Sequence, residues 1–131
     1  MKKLILSAAV LFSAYAVAIA QVSVEGVDIN ALGIKYCELR GYNTSTMSQK
    51  VSVVIDYGQE FKAFKPQVIR GEDGKPMVFN TMIDALNFMD RNGWEYLNGY
   101  IAASGSSSVY NYLLKRKEEG GRIGEYQKLK Y

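Results

Sequence analysis

Carboxylates are plentiful in this chain and histidine is absent. Asp56, Glu60, Glu72, Asp73, Asp84 and Glu95 are the candidates for the acid and base of glycoside hydrolysis, but nothing in their spacing sets two of them at the separation that such a pair needs. They read as solvated charge. Without histidine, Ser-His-Asp and Cys-His nucleophile systems and His-based zinc sites are excluded. Asp73-Gly74 lacks the further acids of a calcium loop, so no metal or other cofactor is expected. Cys37 is the single cysteine; it forms no intramolecular disulfide and, on the apolar side of its strand, reads as a small buried hydrophobe.

Binding is the other chemistry that the side chains offer. Tyr96, Tyr100, Tyr110 and Tyr112 crowd one predicted hairpin, and a row of rings on an open sheet face would suit sugars, peptides or a second copy of the chain. Cross-strand packing explains the same rings. Lys115-Arg116-Lys117 beside Tyr110 and Tyr112 has the make-up of an RNA surface, but the charge balance argues against a nucleic-acid partner. Asn43-Thr44-Ser45, formally a glycosylation sequon, reads as a polar turn.

That balance depends on the amino terminus. Met1-Lys2-Lys3, an apolar run from Leu4 and the ending Ala18-Ile19-Ala20 match a secretory leader cleaved after Ala20, which places the mature protein in the periplasm or outside the cell. Removal of Lys2 and Lys3 lowers the Lys+Arg count from 16 to 14, against 13 Asp+Glu, leaving almost no net field to attract nucleic acid or anionic lipid. No stable membrane insertion is expected once the leader is gone.

The elements that must position these residues follow from periodicity. Residues 21–33 read as an irregular lead-in. Ile34 to Tyr42 alternates, with Tyr36, Glu38, Arg40 and Tyr42 on one side and Cys37, Leu39 and Gly41 on the other, and Lys50 to Gly58 alternates more clearly; the two should pair as a hairpin. A strand from about Gln67 to Arg70 turns back into Met77 to Phe79 through the Gly71–Pro76 turn. Thr81 to Asn92 is a helix: Thr81 and Asp84 cap its start, Met82, Ala85, Leu86 and Met89 share a face, and Arg91 with Gly93 ends it. Trp94 to Ala103 and Val109 to Lys117 form a second hairpin. Residues 118–131 read as a mobile tail.

Leu86-Asn87, then Gly93-Trp94-Glu95 opening a strand, and Lys115-Arg116 closing the last one resemble a small bacterial family of domains of unknown function. The resemblance covers residues 34–117 and implies a β-β-α-β-β order without implying an activity; residues 59–80 are an addition to it. Physically, Gly93 ends the helix, Trp94 plugs the gap between helix and sheet, and Asn87 bonds backbone near the bend.

These elements predict an α+β fold of two layers, an antiparallel sheet of four to six strands with one main helix, residues 81–92, on one face. The expected function is that of an exported, non-enzymatic accessory or binding module acting through a sheet face or edge, on an envelope protein or on itself. An exported hydrolase using carboxylates, or a homodimeric structural protein, are the alternatives.

Overall fold

The computed structural model describes residues 21–45, 47–63, 65, 67–105 and 107–117; the expected leader and the expected mobile tail lie outside them. Its strands in chain order are β1 (Ser23–Val24), β2 (Val27–Asp28), β3 (Tyr36–Asn43), β4 (Val51–Asp56), β5 (Ile69–Arg70), β6 (Val78–Phe79), β7 (Trp94–Ser104) and β8 (Ser107–Arg116). One α-helix, α1 (Met82–Arg91), lies between β6 and β7. The fold is therefore α+β with a single α-helix among the described residues.

Alternation builds the central hairpin. Cys37 and Leu39 on β3 and Val51, Val53 and Ile55 on β4 are buried, while Glu38, Arg40, Ser52, Val54 and Asp56 between them face the other way. β3 and β4 pair antiparallel, β8 pairs on the other side of β3, and β7 pairs with β8, giving the order β6-β4-β3-β8-β7. The turn expected at Gly71–Pro76 forms, although the two strands that it joins lie in different sheets. β5 turns back into β6, with the Met77 N–H donating to the Ile69 carbonyl at 2.8 Å.

α1 closes one face of this sheet. The Thr81 hydroxyl accepts from the Asp84 N–H at 3.2 Å, and the Asp84 carboxylate accepts from the Asn80 N–H at 3.0 Å, so the acid at the third helical position satisfies a second free donor. Met82, Ala85 and Met89 are buried and Leu86 is half-buried against the same core. Gly93, at φ +85°, ends the helix as its sequence position predicts. Met82 sits where a side chain at position 41 would be, which makes Gly41 the seat of the first helical turn.

Two expectations are overturned here. The lead-in is not irregular: β1 and β2 form a hairpin through Glu25 and Gly26, both at positive φ, and a short 3-10 turn follows at Ile29–Ala31. Nor is there one sheet. β1 also pairs with β5, making a second, three-stranded antiparallel sheet in the order β2-β1-β5. The physical reason is burial: Val22, Val24 and Ile29 join Ile55, Ile69 and Trp94 in the single core, so the lead-in shares with α1 the work of sealing it. Among the described residues no helix is long and apolar enough to cross a membrane.

Candidate functional site

The face of the five-stranded sheet turned away from α1 carries a chain of polar contacts that crosses four strands. Arg40 Nε donates to Glu38 Oε1 at 2.7 Å and Arg40 Nη2 to Asp56 Oδ2 at 3.1 Å, so one guanidinium holds two carboxylates that are cross-strand neighbours. From β7, the Tyr100 hydroxyl reaches over β8 and donates to Glu38 Oε2 at 3.1 Å. Asn111, opposite Arg40 and beneath this span, is buried as a result. The bond from Arg40 to Glu38 raises the guanidinium's proton affinity further, and the same carboxylate holds the Tyr100 proton above the usual phenol range.

Beside this network lies a groove of about 540 Å³. Its floor is the outer side of β3 and β4, with Tyr42, Ser52 and Val54; its far wall is the arm that leaves β4 at Gly58 and returns at Gln67 and Val68. Two glutamines pin the arm. Gln59 Nε2 donates to the Ile55 carbonyl at 2.7 Å, the Gln59 and Gln67 amides bond each other, and the Ile55 N–H donates to the Gln67 carbonyl at 3.0 Å. Phe61 stands on this arm with 88 % of its surface exposed, and Lys62 and Lys65 line the same space. A second depression, about 570 Å³, lies between the start of α1 and Met47–Gln49 and gathers no charged side chain.

The four tyrosines singled out from the sequence do not form one row. Tyr110 and Tyr112 share a face with Leu114 and pair with Gly41 and Leu39, so both point to the helix side and pack half-buried against the core. Tyr96 joins them there, its ring edge-on to Tyr112 at 5.6 Å between centroids. A bulge between Tyr96 and Asn98 then reverses the facing of β7, and of the four only Tyr100 reaches the open face. Gly99 is needed beneath these rings, since a side chain there would run into Tyr112. The expected row of rings on an open sheet face is thus corrected: α1 is too short to cover the inner face, and Tyr96, Tyr110 and Tyr112 fill the rest.

Other candidates are engaged within the fold. Trp94 is buried as predicted. Asn87 is exposed, and the backbone bond expected of it is made by Asn92, whose amide donates to the Phe88 carbonyl at 2.7 Å. Lys117 pairs with Asp90 at 2.6 Å, Lys115 lies 3.9 Å from Glu95, and Arg116 stacks on Trp94. Thr44 bonds the Lys50 carbonyl in a polar turn, and Asp73 Oδ1 accepts from the Lys75 N–H in the Gly71–Lys75 turn. Glu38, Arg40, Val54 and Phe61 were not picked out as a site, although the shared side of Glu38, Arg40 and Tyr42 was visible in the alternation of β3. Among the described residues no three potential metal ligands come together.

Cys37 is 3 % exposed, and burial, aided by the Asp56 charge and opposed by that of Arg116, pushes its thiol from the ordinary 9.0 up to about 12. The folded state therefore keeps the proton that the unfolded chain loses, so the contribution of this group to stability is intact below pH 9 and is lost as pH rises toward 12. This thiol contributes a slope of up to about 1.4 kcal/mol per pH unit, and Cys37→Ala should remove that share in denaturant titrations while leaving the share of Tyr100, whose proton the fold also holds. Native thiol that alkylates as fast as free cysteine would contradict this placement.

No protein-family model matches the chain, and neither a curated protein nor a solved structure does.

Proposed function

We propose that this chain is an exported, non-enzymatic accessory or binding module that holds an envelope partner on the open face of the five-stranded sheet. The groove carries this reading: a concave floor around Val54, a projecting aromatic wall at Phe61, and a cross-strand network that keeps the neighbouring surface in place. Export rests on the leader pattern of residues 1–20. Kinship with the small bacterial family of unknown function belongs to the same proposal and is supported by the order β3-β4-α1-β7-β8, with β5 and β6 as the addition. A carboxylate hydrolase is the weaker alternative, because Glu38 and Asp56 are both already engaged by Arg40.

Self-association has one observation of its own. β7 ends the five-stranded sheet, and its outer edge has no strand beside it among the described residues, while Leu97 and Ile101 on it are exposed. Two exposed substitutions separate the surfaces. Phe61→Ser should weaken retention of an envelope component roughly tenfold or more, as loss of an aromatic anchor does, and Ile101→Lys should leave it unchanged. Light scattering should report a monomer, and the exported protein weighed intact should begin at Gln21. A dimer dissolved by Ile101→Lys, with retention indifferent to Phe61, would move the function to the β7 edge.

A further inference from the structure

We propose that the groove takes an amphipathic anion, a single apolar chain ending in a carboxylate, with the chain against Val54, Val68 and Phe61 and the head at Lys62 and Lys65. This inference rests on the open face being the binding surface. Charge decides the ligand's chemistry. Arg40 is already satisfied by Glu38 and Asp56, and Asp56 in turn is held by Arg40 and by the Gly58 N–H at 3.0 Å. Lys62 and Lys65 line the same cavity, and among the described residues neither ammonium has an acid in ion-pair range. The groove thus sets two uncompensated cations on its arm beside an apolar floor.

A neutral chain would leave those cations unused, and a cationic one would be repelled. A nucleic acid gains its affinity from many phosphate contacts, and the apolar floor would add nothing to them. The volume, about 540 Å³, falls in the range of small-molecule pockets and suits one chain better than a two-chain lipid.

Dodecanoate, dodecyltrimethylammonium and dodecanol, each below its micellar concentration, are the probes, followed by titration calorimetry and amide NMR shifts. Dodecanoate should bind, shift the amides of Val54, Phe61 and Val68, and weaken with added salt. The cationic and neutral probes should bind roughly tenfold or more weakly, and Lys62→Gln with Lys65→Gln should cost dodecanoate a similar factor. Both lysines and Phe61 are exposed, so these variants test the groove without unfolding the core. Equal binding of the three probes, an unaffected double variant, or shifts elsewhere would overturn the assignment. If dodecanoate fails while a Phe61-dependent envelope partner is still retained, the ligand class alone is wrong; if both fail, the face is wrong as well.

Discussion

Trp94→Ala should remove about 3–5 kcal/mol of stability, a large share of what a domain of this size holds. The indole is 1 % exposed and stands where three separate parts of the chain meet. Its Nε1–H donates to Asn30 Oδ1 at 2.8 Å, tying the lead-in to the helix exit, and the Arg116 guanidinium from the end of β8 lies 5.5 Å from its ring centroid. Asn30 Nδ2 donates to the Asn92 carbonyl at 3.3 Å, and Arg116 donates to the same carbonyl at 3.4 Å, so α1's last turn is fastened through the same residues. Truncation opens a cavity at this junction and removes one of two donors from Asn30. Trp94→Phe should cost less, about 1–2 kcal/mol, because much of the packing survives. Trp94 is the only tryptophan, so the titration must be followed by circular dichroism. A loss under about 1 kcal/mol for Trp94→Ala would show that the indole is not part of the core.

Val24→Asp should be comparably damaging, and it tests whether the lead-in belongs to the core. Val24 has no exposed surface and pairs with Ile69 across the β1–β5 ladder, inside the main apolar cluster. The cluster around Val24 is made of apolar residues, so a carboxylate there meets no cation in it, and an uncompensated buried charge costs about 3–5 kcal/mol. Burial raises the new acid's pKa above its unfolded value of about 3.9, so the penalty grows as pH rises above that value and shrinks on acidification. Val27→Asp is the control. Val27 lies on the same hairpin but is 38 % exposed, and its substitution should change stability by less than about 0.5 kcal/mol. Equal, small effects at the two positions would return residues 21–33 to the irregular segment that their composition suggested.

Much of this architecture was legible in local pattern. The alternation of β3 and β4, the Thr81–Asp84 cap, the Gly93 stop and the return of β5 into β6 each depend on residues within a few positions of one another, where side-chain period and turn chemistry act directly. Trp94 was likewise readable, since a bulky ring just after a helix stop has the gap between helix and sheet to fill. The lead-in was not. Its strands are two residues each, too short for periodicity to register, and β1, on which β2 pairs, is itself held by a partner, β5, more than forty positions away in the chain.

The candidate site divides in the same way. Local sequence determined that Glu38, Arg40 and Tyr42 share one side of β3, because strand side chains alternate whatever the fold. Which side faces solvent was decided only by tertiary structure: the buried set is the one that meets α1 and the lead-in, and a single bulge in β7 sent Tyr96 and Tyr100 to opposite faces. The groove needed still more, since the arm carrying Phe61 is brought beside Val54 by Gln59, Gln67 and the bridge from Val54 to Val68, on the stretch of β4 beyond its pairing with β6. A secretory pattern, a charge balance, a helix and two hairpins are properties of neighbouring residues; a concave surface belongs to residues that only folding makes neighbours.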